Sequence, residues 1–184
     1  MQRYFTSERT LTFQGCEITI MDTQTPYVGM SRNIFITGNA NPSLYKPAIL
    51  DYDYWIFCDS DIEFTEADLK RILSYDKDII SLPYQLNSKK PAFNAMINGK
   101  YLPLDTKGLM KVDGCGAGFL KVKKCVFQKM PAYWFFIDQV EKDGVLSFIC
   151  EDYNFGKKAR RLGYDIWMDF NHPVQHNNPN FIGG

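Results

Sequence analysis

The chain of 184 residues lacks an excess of either charge: 21 lysines and arginines stand against 21 aspartates and glutamates. Without a basic surplus, nothing argues for a nucleic-acid partner. Long apolar runs are missing as well, and none reaches the ~18–20 residues of a membrane span. Met1-Gln2-Arg3-Tyr4-Phe5 has no apolar signal-peptide core, so a cytoplasmic location is expected. Cysteines are few and odd in number. Cys16, Cys58, Cys115, Cys125 and Cys150 have no metal-ligand spacing, and reduced thiols in an intracellular protein are the simplest account. Histidine is scarcer still, with only His172 and His176. There is no repeat, low-complexity tract or linker. One domain over 1–184 is therefore expected, large enough to bury a substantial core. A chain this short is equally compatible with being one piece of a larger multidomain protein.

What is present centres on Asp53 to Phe64. Tyr54-Trp55-Ile56-Phe57-Cys58 is an apolar, aromatic run that reads as a buried strand. Asp59 and Asp61 follow at its carboxyl end, where open α/β sheets bind ligands. If the chain stays extended there, side chains two apart share a side and present one oxygen-rich face. Hard cations such as Mg²⁺ or Mn²⁺ favour such ligands and bridge them to substrate phosphates. Taken alone, Asp-x-Asp is more often a solvated loop after a core strand.

Along the chain, Cys16 to Met21 alternates as a strand ending near Asp22, and Leu11–Phe13 is a candidate short strand. Val28 to Thr37 reads as a helix stopped by Gly38 to Pro42, with a further helical turn expected within Tyr45–Leu50. Thr65 is a good N-cap for a helix ending before Asp76, and Asp78 to Leu82 is the next strand. Strand, helix and strand together predict a parallel pair with a right-handed crossover. Asn98-Gly99 marks a hairpin between Ala92–Ile97 and Lys100–Leu104. Met110–Val112 and Phe119–Val122 are strands, and Lys123–Met130 a helix. Asp138–Gly144 is polar and reads as a loop. Glu151 to Gly163 has an acidic start, a basic end and a glycine stop, all proper to a helix. Tyr164–Asp169 is the last strand.

Several constellations admit more than one reading. Asp59-Ser60-Asp61-Ile62-Glu63 is no EF-hand loop, because Phe64 stands where that loop needs glycine. A haloacid-dehalogenase-like phosphohydrolase would use Asp59 as nucleophile, but Glu63 departs from that family's Thr or Val. Gly114-Cys115-Gly116-Ala117-Gly118 lies between strands, which rules against a Rossmann phosphate fingerprint. It reads either as a tight connection or as a close approach to a ligand. Glu151-Asp152 is read either as first-turn acidity or as site carboxylates. Trp134 and Tyr133 are read as core or as an acceptor platform.

The ordered set is more informative than any member. Ser31-Arg32-Asn33, Trp55 to Asp61, Val112 to Leu120, Glu151 to Gly163 and Val174-Gln175-His176 together resemble nucleotide-sugar-dependent glycosyltransferases of the GT-A fold. A looser likeness is to the capsid-glycosylating enzymes of large DNA viruses such as chloroviruses, for which the compartment would be the host cytoplasm. The resemblance implies an α/β fold with a Rossmann-like, mixed but mostly parallel central sheet flanked by helices, and a small antiparallel hairpin. It implies transfer of a sugar from a nucleoside diphosphate sugar, UDP being the commonest donor for that fold, to a glycan or glycoprotein acceptor. It further implies Mn²⁺ or Mg²⁺ on Asp59, Asp61 and His176, and Asp152, with Glu151 beside it, as the group that orients or deprotonates the acceptor. Ser60, Arg32, Asp22, Thr23, Gly116 and Ala117 would contact the donor. His172 or water is the substitute third ligand should His176 lie elsewhere. Members of that family ordinarily begin with a further strand and helix lining the nucleotide. Here that unit is missing or reduced to Leu11–Phe13. A non-catalytic carbohydrate-binding domain is the remaining alternative.

Overall fold

The computed structural model describes residues 7–13, 15–23, 25, 27–38, 48–87, 90–142 and 144–177. The helix stop expected at 39–42 and the first half of the turn expected at 45–50 lie outside them. β1 (Ser7–Phe13) and β2 (Cys16–Asp22) form an antiparallel hairpin, tight from Phe13↔Cys16 out to Ser7↔Asp22. α1 (Val28–Thr37) ends at Gly38, whose left-handed backbone lets its N–H reach the Ile34 carbonyl. β3 (Tyr54–Cys58) turns Trp55 and Phe57 into the core, and β4 (Ile62–Glu63) follows. α2 (Glu66–Ser74) starts with a reciprocal cap between Thr65 and Asp68.

Next come β5 (Ile79–Ser81), β6 (Gln85–Asn87), β7 (Lys90–Ile97) and β8 (Lys100–Pro103). The β7–β8 turn has Asn98 and Gly99 at φ 52° and 72°, the pair of left-handed residues that a tight hairpin turn requires. β9 (Leu109–Val112), β10 (Gly114–Cys115), β11 (Phe119–Lys123) and α3 (Lys124–Lys129) lead to β12 (Asp138–Lys142) and β13 (Val145–Ile149). α4 (Glu151–Arg161), β14 (Ile166–Asp169) and β15 (Gln175–His176) complete the described chain.

The sheet corrects the expected fold class. The described residues form fifteen strands and four helices, and the five-stranded sheet runs β3-β11-β5-β14-β9. Only β14 and β5 pair in parallel; the other three pairings are antiparallel. The remaining sheets are small and antiparallel: β1-β2, β10-β7-β6 with β8 on β7, β12-β13 and β15-β4. This is not a Rossmann-like, mostly parallel sheet flanked by helices.

The reason is β11. β3 and β5 do run in the same direction, but β11 lies between them, with Leu120 opposite Phe57 on one side and Ser81 on the other. Phe119, Leu120, Lys121 and Val122 are all buried, as befits a central strand. β2 lies outside this sheet and pairs with β1. The expected loop at Asp138–Gly144 is half of a hairpin, with Asp138↔Ile149 and Lys142↔Val145 in register.

Two apolar clusters sandwich the sheet. One gathers Trp55, Phe57, Val122, Phe127, Phe135 and Phe155 under α3 and α4, with the Phe135 and Phe155 rings stacked at 4.5 Å. The other packs Ile72 of α2 on Ile62, Ile80, Leu82, Phe119 and Val174. Each such side chain contributes about 1.5–3 kcal/mol when fully buried. The carboxyl ends of β3, β5 and β14 face the same way, and the candidate site gathers at that end. No helix among the described residues is long and apolar enough to cross a membrane.

Candidate functional site

Arg32 is the hub of one half of the site. It projects from α1 with 3 % of its surface exposed. Nη2 donates to both oxygens of Asp59, at 2.7 and 3.0 Å, and Nη1 donates to Glu151 Oε1 at 2.9 Å. A guanidinium matches this task because its planar fork serves two carboxylates at once. Its Nε is buried without a partner among the described residues. Gly29 lets α1 approach this closely: a β-carbon there would lie 3.1 Å from the Phe135 carbonyl and 3.2 Å from Glu151 Cγ.

Asp59 and Asp61 do not share a face. The extended backbone ends at Cys58, and the Ile62 N–H closes a turn on the Asp59 carbonyl at 3.0 Å. Alternation fails inside a turn, so Asp59 swings to Arg32 while Asp61 points to the chain's tail. Ser60 is exposed at the tip.

His176 does return to the motif. β15 pairs with β4, setting His176 opposite Ile62, and Asn177 N–H bonds the Asp61 carbonyl at 2.8 Å. His176 Nε2 stands 3.1 Å from Asp61 Oδ2, and Nδ1 stands 2.9 Å from the Gln85 carbonyl. A carbonyl only accepts, so Nδ1 carries a proton. Nε2 therefore faces a carboxylate either with a second proton or with its lone pair and a cation between. A divalent cation bonded at about 2.1 Å holds adjacent ligands about 3 Å apart, so this pair fits one. Among the described residues no three His, Cys, Asp or Glu side chains are grouped to hold a metal ion. The expected trio of Asp59, Asp61 and His176 is thus a pair, with Asp59 held by Arg32.

Asp152 stands next to Glu151 in the first turn of α4. Burial, and then the charge of Glu151, push its carboxyl up to about 6, against the pull of the Tyr153 N–H and Arg32. That Tyr153 N–H donates to Oδ1 at 2.7 Å. A carboxyl tuned toward neutrality suits a general base.

The glycine run carries side chains on its surface. A β-carbon on Gly116 would collide with the Tyr84 hydroxyl; on Gly118 it would come within 2.8 Å of the Tyr84 ring, and on Gly114 within 2.8 Å of Tyr153. Gly116 and Ala117, the expected donor contacts, are both buried, and Gly116 lies against the Tyr84 hydroxyl. Asp22 closes β2, and Thr23 leads toward α1, linking both to Arg32 along the chain. Trp134 is core, its Nε1 donating to the Phe127 carbonyl at 3.0 Å, while Tyr133 is exposed. His172 belongs to another network, in which it and the Tyr75 hydroxyl each lie 2.5 Å from the buried Asp169 Oδ2. The sequence reading passed over Tyr84 and Gln85. Their signal was position, just beyond the carboxyl end of a sheet strand.

No protein-family model matches the chain, and no curated protein matches it either. Among solved structures, the crystal structure of A197 from STIV is similar with a TM-score of 0.49 and 16 % identity, covering 86 % of this chain and 80 % of that one. A likeness at that level carries no functional information.

Proposed function

We propose that this protein is a divalent-cation-dependent glycosyltransferase, moving a sugar from a nucleoside diphosphate sugar to a hydroxyl of a carbohydrate acceptor. The observation that carries the proposal is the charge of the site. Four carboxylates, Asp59, Asp61, Glu151 and Asp152, stand against one guanidinium, which bonds only Asp59 and Glu151, and the His176 imidazole faces Asp61. Such a site repels a bare diphosphate and attracts one that arrives with Mn²⁺ or Mg²⁺. Asp61 and His176 would hold the cation, with diphosphate oxygens and water completing its shell, as Mg²⁺ sites commonly do. When bound, the cation supplies Lewis-acid neutralisation of the departing diphosphate.

The rest is done by the chain. Gln85 fixes the His176 tautomer so that Nε2 presents its lone pair. Arg32 holds Asp59 and Glu151 in place and offsets their charge. Asp152, partly ionised near neutrality, takes the proton of the attacking acceptor hydroxyl, the role it has in an inverting transfer. One feature counts against the phosphohydrolase alternative. A nucleophile needs a free oxygen, and both oxygens of Asp59 accept from Arg32.

The test is thermal unfolding with UDP, GDP and dTDP sugars, each with and without Mn²⁺. Stabilisation of about 2.7 kcal/mol is expected at a hundredfold excess over Kd, only with cation and nucleotide sugar together. Stabilisation or turnover insensitive to a chelator would overturn the reading. Asp61→Ala should abolish the cation-dependent part.

A further inference from the structure

A tyrosine hydroxyl near these carboxylates makes no hydrogen bond among the described residues. Tyr84 follows β5 with 9 % of its surface exposed. Its main chain is clamped: its N–H donates to Asn94 Oδ1 at 2.9 Å, and its carbonyl accepts from the Asn94 N–H at 3.0 Å. Its ring lies 5.0 Å from the His176 ring, tilted by 56°. Its hydroxyl rests over Gly116, and Gly118 underlies the ring. The side chain therefore spans the site, from the imidazole of the cation half to the electrostatic reach of Asp59 and Asp152. Burial first, and then those two carboxylates, push its phenol well up, so the proton stays on and the group is a donor. Among the described residues its hydroxyl makes no hydrogen bond. The hydroxyl is not sealed in, since the one enclosed side-chain polar atom without a partner among the described residues is Arg32 Nε, so it is open to an acceptor that a ligand brings.

The chemistry of that acceptor follows from the neighbours. A phosphate oxygen can only accept, and placed here it would also face two carboxylates. A sugar hydroxyl accepts from Tyr84 while donating its own proton toward Asp152. We propose that Tyr84 recognises the donor's sugar, its hydroxyl giving a hydrogen bond to a sugar hydroxyl held between the His176 and Asp152 sides of the site. This assignment rests on the glycosyltransferase reading. The glycines at 116 and 118 are then the floor that lets the tyrosine, rather than the backbone, meet the sugar.

Tyr84→Phe tests it, because the ring packing on His176 and on the glycines is kept. Full-length protein with Mn²⁺ is titrated calorimetrically with UDP and UDP-glucose, and in parallel with GDP and GDP-mannose. Wild-type protein should hold one sugar form more tightly than its matching diphosphate. Tyr84→Phe should lose that increment, about tenfold for a single hydrogen bond to a sugar, with affinity for the diphosphate unchanged. Equal loss toward sugar form and diphosphate would mean that Tyr84 only shapes the site through His176, and would overturn the proposal. So would wild-type and variant proteins that bind alike. Wild-type protein that binds none of these nucleotides with Mn²⁺ would overturn the transferase reading itself, and the Tyr84 assignment with it.

Discussion

Asp59 and Asp61 are two residues apart and belong to two different machines. Asp59 lies in a buried half, where Arg32 bonds it and also reaches Glu151, 119 residues beyond the arginine. Asp61 lies in a solvent-facing half, with its side chain 44 % exposed, and meets His176 across 115 residues. In the first half one guanidinium pairs both carboxylates. The second brings together two groups that prefer a cation between them. One short motif thus supplies a carboxylate paired inside the protein and, in the proposed function, a cation ligand, and the turn at Asp59–Ile62 separates the two.

The contrast breaks most decisively at Arg32. Arg32→Ala leaves Asp59 and Glu151 unpaired and partly buried, and a loss of about 3–5 kcal/mol is expected in urea unfolding, with no activity. Arg32→Lys should recover only part, since an ammonium cannot fork between two carboxylates. A loss below about 1 kcal/mol would place this half among ordinary surface ion pairs.

Asp152 comes next. Asp152→Asn should lower kcat by about 10²–10⁴-fold. In the wild type the rate should rise with pH through about 6, as the carboxyl ionises, and the variant should lack that limb. The stability effect has the opposite sense. The folded carboxyl sits above its ordinary 3.8, so its contribution is fully present below that value and is lost as pH rises through about 6. The asparagine variant should therefore be the more stable protein at pH 7, and the difference should vanish in acid. A variant less stable than wild type at pH 7 would show that Asp152 is held by contacts rather than strained by burial.

Much of this was readable in the sequence, for local reasons. The bounds of α1 and the start of α4 match expectation because periodicity, acidic first turns and the Gly38 stop are written within a few residues. Asp59 and Asp61 stood out by their place beyond a strand end, and Arg32, Asp152 and His176 by their order in the set that resembles a glycosyltransferase. The strand order was not readable. Alternation gives no sign of partner or direction, and β11 enters between β3 and β5 from nearly forty residues beyond the latter (Ser81 pairs with Leu120). The β12–β13 hairpin was hidden because β12 offers a single apolar residue, Val140, in a charged segment. Tyr84 was hidden because one aromatic after a buried strand reads as core until its hydroxyl is seen to lack a partner.

In the cation half, effects should fall on affinity rather than on the fold. Asp61→Ala and His176→Ala are each expected to weaken Mn²⁺ binding by at least the 10–100-fold that loss of an outer-shell partner costs. Unfolding free energy should change by no more than the roughly 0–1 kcal/mol of an exposed pair. Calorimetric titration with Mn²⁺ and urea unfolding on the same preparations separate the two quantities. Large stability losses without a change in affinity would make Asp61–His176 a structural tie like that of Asp59.

The smallest effect tests how independent the cation half is. Thr65 caps α2 two residues after β4, whose Glu63 pairs with Gln175 beside His176. Its Oγ1 accepts from the Asp68 N–H at 3.3 Å, and its own N–H donates to Asp68 Oδ2 at 2.8 Å. Thr65→Ala should cost about 1 kcal/mol in urea unfolding. Mn²⁺ affinity should stay within about twofold of wild type, because β4 and β15 are held by their own pairing and by the Asn177 N–H on the Asp61 carbonyl. If affinity instead falls with stability, α2 is part of the ligand scaffold. The cation half would then be as deeply rooted in the fold as the Arg32 half.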